Sequence, residues 1–388
     1  MKWEKVRLGD VCIKIGSGST PKGGSKVYVK NGIAFIRSQN VYNLFFDYNG
    51  LVYINDKCAE QLKNVSVEKF DVLLNITGDS VARTCIIPTN VIPARVSQHV
   101  SIIRPIKNVL NPFFLNYYLA TPFMQSFMLS LAVGKGASRN ALTKNIISNF
   151  EIPCPTIDIQ NRIVNILSAY DGLIENNQKQ IKLLEESAQR LYKEWFVNLR
   201  FPGYENTPII DGVPEGWSKG CVGDIAVFKR GKTITKTQIV EGNVPVVAGG
   251  LEPAYYHNKA NTIAPVITVS ASGANAGFTK LYYNNVFASD CSFADAKTTP
   301  CLYYIYAFLK DNKLSIDALQ KGSAQPHVYA KDINAMGLII PCKQLILDYC
   351  YCVSGIFSKI KILFDQINKL TEARDRVLSK LVNGEIEG

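Results

Sequence analysis

Trp3-Glu4-Lys5-Val6-Arg7-Leu8-Gly9-Asp10-Val11 returns as Trp217-Ser218-Lys219-Gly220-Cys221-Val222-Gly223-Asp224-Ile225, with tryptophan and Gly-Asp at matching places, at an offset of 214. Working outward, Val72, Leu74, Thr77 and Gly78 align with Ile267, Val269, Ser272 and Gly273 at an offset of 195. Pro112, opening PFFLNYYLA, aligns with Pro300, opening PCLYYIYAF, at 188; Gly136 aligns with Gly322 at 186. Ile152-Pro153-Cys154 then aligns with Ile340-Pro341-Cys342, again at 188. The order is kept while the offset shrinks, so the chain is a tandem duplication whose second copy is shorter and diverged.

Each copy runs through the same textures. Short β-prone runs come first, as in Gly32 to Ile36, Asp71 to Ile76 and Val100 to Ile103, separated by Gly, Asn and Pro clusters. That pattern predicts a small mixed sheet with long loops. Asn111-Pro112 then predicts a helix start, with Asn as the N-cap and Pro at the first helical position. From Ile163 the spacing of apolar residues changes to alternating fours and threes: Ile163, Leu167, Tyr170, Ile174, Asn177, Ile181, Leu184, Ala188, Leu191, Trp195. A seam of period 3.5 is the signature of a coiled-coil helix, and the polar Asn177 within it sets register at some cost in stability. The second copy repeats the seam with Val353, Phe357, Ile360, Phe364 and Ile367, weakens at Thr371 and Arg374, and resumes at Leu378 and Leu381. A helix of about 35–40 residues is roughly 50–60 Å long and needs its seam covered. The fold class expected is therefore α+β: two duplicated, mixed β-rich globular domains separated by two long helices that pair as an antiparallel coiled coil, a rod with a domain near each end. The expected boundaries are 1–156 for the first domain, 157–199 for the first long helix, 200–216 for a linker, 217–343 for the second domain and 344–384 for the second long helix.

The 388 residues carry 43 Lys and Arg against 32 Asp and Glu, a net charge of +11, with 47% hydrophobic residues. That balance buries a core and attracts polyanions. No apolar run is long enough for a membrane span, and the start Met1 to Arg7 carries charge without the apolar stretch of a signal peptide, so a cytoplasmic protein without membrane contact is expected. Ten cysteines without a CxxC pair, and only His99, His257 and His327, make neither a zinc site nor a disulfide framework; buried reduced thiols are expected, and no metal site. There is no GxxxxGK[ST] loop and no Gly-rich S-adenosylmethionine loop. Gly16-Ser17-Gly18-Ser19-Thr20 with Gly23-Gly24 reads as a surface loop sooner than as a phosphate cradle. Asn111-Pro112-Phe113-Phe114 only superficially matches the Asn-Pro-Pro-aromatic motif of adenine methyltransferases; its second proline is missing. No catalytic residues are expected.

Binding chemistry is plentiful. In copy one, loops carry Lys22, Lys26, Arg37, Gln39, Arg83, Arg95, Gln98, His99, Lys135, Arg139 and Lys144; in copy two, Lys229, Arg230, Lys232, Asn275, Lys321, Gln325, His327 and Lys331. Cations position a protein on phosphates, while amides and bidentate Arg read base edges, so these are the candidate DNA-binding residues.

Here the residues resemble the specificity subunits of type I restriction-modification systems. Arg200-Phe201-Pro202-Gly203-Tyr204-Glu205 with Asp211-Gly212-Val213-Pro214-Glu215-Gly216-Trp217 looks like that family's junction between the first helix and the second target recognition domain. Trp3 to Asp10, Asp71 to Leu74 with Gly78, and Pro153-Cys154-Pro155 leading to Gln160-Asn161-Arg162-Ile163 look like its other landmarks. Copy two departs at Pro341-Cys342-Lys343-Gln344, which lacks the second proline and the Gln-x-x-Ile spacing. The resemblance implies a non-catalytic reader of a split, asymmetric site on double-stranded DNA, one target recognition domain per half-site. It also implies two methyltransferase (modification) subunits held by the paired helices, with S-adenosylmethionine bound on those partners and no cofactor on this chain, and restriction motor-nuclease subunits joining for cleavage. Two other classes stay open on the residues alone: a stand-alone DNA-modifying enzyme, and a structural or interaction protein with duplicated β-rich binding domains.

Overall fold

Val72–Asn75 is buried along its whole length, and its side chains alternate between two cores. Val72 and Leu74 join one cluster with Ile103, Phe114 and Leu115, while Leu73 joins another with Val100, Ile102 and Cys85. The sheet carrying this strand is therefore a wall between two apolar layers. In the computed structural model, which describes residues 3–132, 141–322, 325–382 and 384–385, that sheet has four antiparallel strands in the order Cys12–Ser17, Val100–Pro105, Val72–Asn75, Thr84–Ile86. A second sheet runs Ala94–Val96, Ile33–Ile36, Val52–Ile54, Tyr28–Val29, the first pair parallel. Lys5–Arg7 pairs with Glu151–Pro153.

The second copy repeats this topology with one strand fewer in the second sheet, where Tyr28–Val29 has no counterpart. Lys229–Arg230, Cys291–Asp295, Val266–Ser270 and Thr279–Tyr282 form its antiparallel four-stranded sheet. Val244–Val247 pairs parallel with Phe287–Ala288 and antiparallel with Tyr255–His257, and Ser218–Cys221 pairs with Gly337–Ile340. One glycine in each copy shows why the duplication is still legible. A Cβ on Gly18 would lie 2.0 Å from the Val96 carbonyl oxygen, and one on Gly231 would lie 2.3 Å from that of Ser289. Ser19 N–H donates to Val96 (3.0 Å) as Lys232 N–H donates to Ala288 (3.0 Å). The glycine in the Gly-Ser-rich stretch is thus explained by backbone approach, which only a residue without Cβ permits.

By contacts the chain divides into two units, Met1–Glu175 with Ile367–Gly388, and Asn176–Gln366. Each long helix, Ile157–Tyr192 and Lys343–Val382, contributes a segment to both. Within the first unit, Ile163 and Leu167 lie in one core with Leu378, Leu381 and Val382. The lapse of the seam at Arg374 is filled electrostatically: its guanidinium donates to Asp171 (2.7 Å), and Tyr117 donates to the same carboxylate. Burial first, then that hydrogen bond, holds the Tyr117 hydroxyl far above the usual tyrosine range. Within the second unit, Asn177 donates to Gln366 (3.4 Å) and Tyr349 to the Ala188 carbonyl (3.2 Å). Rising numbers on one helix meet falling numbers on the other in both units, so the segments pair antiparallel.

Burial follows the expected seam through Ile163, Leu167, Asn177, Ile181 and Ala188, with Tyr170, Ile174, Leu184 and Leu191 half-buried, and through Val353, Phe357 and Ile360 in the second helix. Ile367 is half-buried. Two positions differ. Tyr192, not Leu191, is the buried residue at the end of the first helix. Leu363 takes the place expected for Phe364, which is 39% exposed with its ring 5.7 Å from Tyr283; adjacent apolar residues compete for one seam position, and the aromatic finds a partner outside it.

Local signals account for the helix entrances. Asn111 Oδ1 accepts from the amides of Phe113 (2.8 Å) and Phe114 (3.3 Å), with Pro112 in the first turn. Gln160 is fully buried; its amide donates to the carbonyls of Val109 (3.0 Å) and Pro155 (2.8 Å), and its oxygen accepts from Asn111 N–H (2.7 Å). It clamps the start of the first long helix to the helix Pro112–Ala120. The ten cysteines are free thiols, but only Cys85, Cys291, Cys301 and Cys350 are buried; Cys12, Cys58, Cys154 and Cys221 are half-buried and Cys342 and Cys352 exposed, which corrects the expectation of buried thiols. Burial pushes the Cys85 and Cys291 thiols up to about 12. Among the described residues, no helix is long and apolar enough to cross a membrane.

A buried ion pair ties the first unit's central sheet together. Arg104 donates to both oxygens of the fully buried Asp71 (2.7 and 2.8 Å) and also to Glu68. Leaving Asp71 buried without its partner costs about 3–5 kcal/mol, so Arg104→Ala should lower the urea midpoint of the first unit's unfolding accordingly, and Lys should not restore it because the bidentate fork is lost. Gly18→Ala and Gly231→Ala should each destabilise by about 2–3 kcal/mol in the same measurement, whereas Gly16→Ala, with open space around its Cβ position, should change stability little.

Candidate nucleic-acid interface

Where strands of the central sheet end in the first unit, their loops enclose an open groove of about 610 Å³ lined by Ser38, Gln39, Tyr42, Thr77, Gly78, Asp79, Ser80, Arg83 and His99. The backbone explains its shape. Gly78 has φ +75°, the left-handed conformation that glycine tolerates, and begins a tight reversal closed by Ala82 N–H on the Asn75 carbonyl (2.9 Å). Asn75 Nδ2 donates to the Ser38 carbonyl (2.8 Å), which fixes the loop carrying Gln39 beside that reversal.

Three of the expected binding residues, Gln39, Arg83 and His99, line this one groove. The Arg83 guanidinium lies 4.5 Å from the Tyr42 ring centroid, a cation–π contact that positions it at the groove. His99 Nδ1 is 2.6 Å from Thr77 Oγ1, and Gln98 Nε2 lies 3.4 Å from His99 Nε2. At the rim, Arg37 and Gln39 share the Gly50 carbonyl (2.6 and 3.3 Å). Lys22 and Lys26 are exposed in turns elsewhere, and Lys144 is exposed at the start of the short helix Lys144–Ser148. Arg95 is turned into the fold, donating to the carbonyls of Ala59 and Ala94 (3.0 Å each), and burial lowers its pKa. Lys135 and Arg139 lie outside the described residues.

The second unit carries the same frame with other side chains. Ser270 Oγ donates to the Gly249 carbonyl (3.1 Å) where Asn75 held Ser38. Gly273 has φ +80°, matching Gly78, and Gly277 N–H donates to the Ser270 carbonyl (2.9 Å) as Ala82 does to Asn75. Ala271 N–H donates to the Asp290 carbonyl (3.2 Å) as Ile76 N–H does to that of His99 (3.0 Å). The hydroxyl is conserved between copies as well: Ser272 donates to Asp290 Oδ2 where Thr77 meets His99. Nearby, His327 stacks on Tyr329 (6.0 Å, 14°), Lys331 stands 5.9 Å from the Tyr329 ring, and Arg230 shares their small cleft. Lys229, Arg230 and Lys232 are exposed along the edge strand and its continuation, Gln325 is exposed, and Asn275 is half-buried in the reversal after Gly273. Lys321 is paired with both oxygens of Asp332 (2.9 Å each).

Sequence reasoning passed over the aromatic supports Tyr42 and Tyr329 and the acid Asp290. Aligning the copies would have found Asp290, because its offset from His99, 191, falls between those of the flanking matches. Among the described residues, no three His, Cys, Asp or Glu side chains are gathered as a metal ion would require.

The two units thus present unlike polar side chains on one twice-used scaffold. Residues 1–186 and 214–349 match the model of the type I restriction modification DNA specificity domain, and the chain belongs to that family. It is similar to the type I restriction enzyme MjaIX specificity subunit of Methanocaldococcus jannaschii (25% identical, covering 99% of this chain and 93% of the relative). It is also similar to the HindI specificity subunit of Haemophilus influenzae (21% identical, 99% of each chain). The crystal structure of the type I restriction-modification S subunit from M. genitalium shares the fold, with a TM-score of 0.56 at 16% identity over 98% of this chain and 96% of that one.

The ion pairing sorts the cations of the second unit. Arg230 has no acidic partner among the described residues, whereas Lys321 is neutralised by Asp332. In titrations of double-stranded DNA, Arg230→Ala should weaken binding and reduce the slope of log K against log salt by about one, and Lys321→Ala should leave that slope nearly unchanged.

Proposed function

We propose that this chain is the non-catalytic sequence-reading subunit of a type I restriction-modification complex, in which each β-rich unit contacts one half of a split, asymmetric site on double-stranded DNA. The observation that carries the reading is the pairing of one frame with two sets of side chains. Thr77 and His99 with Arg83 occupy in copy one the places that Ser272 and Asp290 with Phe278 occupy in copy two. Identical readers related by a two-fold axis would select a palindrome; these unlike readers select two different half-sites. Arginine held on an aromatic face reads guanine or holds a phosphate, and amides such as Gln39 and Gln98 read adenine edges. The exposed lysines supply the sequence-independent attraction.

The long helices are the measuring element of this proposal. At 36 and 40 residues they extend roughly 50–60 Å, longer than a B-DNA turn of about 34 Å. They count base pairs between half-sites without reading them, and hold two methyltransferase subunits, on which S-adenosylmethionine binds and adenine is methylated. Motor-nuclease subunits complete the assembly for cleavage.

Co-expression with the methyltransferase subunit, followed by mapping of methylated adenines on a plasmid, tests this directly. A split, asymmetric motif should appear only when both chains are present. Inserting about one heptad in both long helices should change the spacer and leave both half-sites intact. Methylation that ignores this chain overturns the assignment, and a spacer indifferent to helix length overturns the ruler.

A further inference from the structure

The equivalence of His99 and Asp290 reaches to the side chains. Each follows the same backbone pairing, Ile76 to His99 and Ala271 to Asp290, and each is met by the hydroxyl of the residue after that amide, Thr77 or Ser272. In copy one the hydroxyl supports an imidazole, which has a donor to offer; in copy two it supports a carboxylate, which only accepts. Ser272 occupies Oδ2 alone. Among the described residues Oδ1 has no hydrogen-bond partner, and no lysine or arginine pairs with the carboxylate. Asp290 is half-buried, and the backbone around it is fixed: Ser272 forms a β-bridge with His327, and the turn after Arg230 docks on either side of it through Gly231 N–H on the Cys291 carbonyl and Lys232 N–H on the Ala288 carbonyl.

An unpaired carboxylate on a DNA-binding face is repelled by phosphates. It is of use there only where a base presents a donor without a neighbouring acceptor. In the major groove, guanine shows N7 and O6 acceptors, thymine shows O4, and adenine sets its N6 amine beside the N7 acceptor; cytosine alone presents N4–H₂ on an edge with no acceptor. We propose that Asp290 reads a cytosine in the half-site contacted by the second copy, with Oδ1 accepting from N4 while Ser272 holds Oδ2. The exchange of imidazole for carboxylate at this position then makes the two half-sites differ. This rests on the DNA-reading function proposed above.

The test uses the full chain assembled with its methyltransferase subunits and fluorescent duplexes bearing the mapped motif. With the wild-type chain, replacing one particular C·G pair of one half-site by T·A should weaken binding roughly ten- to a hundredfold. Asp290→Asn should shrink that discrimination to a few-fold at the same pair and leave the other half-site as selective as before. If Asp290→Asn melts earlier than wild type, Ser272→Ala keeps the carboxylate, removes its support and should relax the same pair. Unaltered selectivity at every position in a folded variant overturns the proposal, as does equal weakening on specific and random duplexes. A wild-type chain that selects no motif takes down the DNA-reading function together with it.

Discussion

A helix of 36 residues with an apolar stripe along one side cannot stand alone in water. That constraint organises this protein. The stripe of Ile157–Tyr192 is covered in the first unit by Leu378, Leu381 and Val382, and in the second unit by the segment around Tyr349. Where the stripe turns polar, polar groups are matched rather than left orphaned, Asn177 by Gln366 and Arg374 by Asp171. Each match fixes the sliding position of one helix on the other, because a shift by one turn would bury an unpaired amide or charge. The first unit's β-rich part is fastened to its helix segment through Gln160 and Tyr117.

Much of this was legible in the sequence where the signal is local or periodic. The duplication, the two long helices, the Asn111 cap and a strand within Asp71 to Ile76 all follow from short-range pattern, and the structure has each of them. What was not legible depends on contacts between distant residues. Nothing near Ala94–Val96 announces that it pairs parallel with Ile33–Ile36. Arg374 looks like a defect in the seam until Asp171 is seen opposite, and the choice of Leu363 over Phe364 is made by the partner surface. The groove of the first unit suffered the same way: its Gln39, Arg83 and His99 come from three separate loops, and only the fold makes them neighbours.

The two copies show which parts of a reader are scaffold and which are variable. The glycines at 18 and 231, the reversals after 78 and 273, and the hydroxyls of Thr77 and Ser272 serve geometry and persist. Side chains standing on that geometry have diverged freely, from His99 to Asp290 and from Arg83 to Phe278. A rigid frame with replaceable tips can change what it binds without having to solve its folding again.

The first unit is not a continuous stretch of chain. Its core takes in Leu378, Leu381 and Val382, whereas the second unit is drawn wholly from Asn176–Gln366. During synthesis, then, the half made first is the half completed last. Its sheets can form as they leave the ribosome, but Ile163 and Leu167 keep an uncovered face until the final helix has been translated and released. A message cut short near its end would spare the second unit and leave the first, whose strands were all present from the beginning, with an open core and a claim on chaperones.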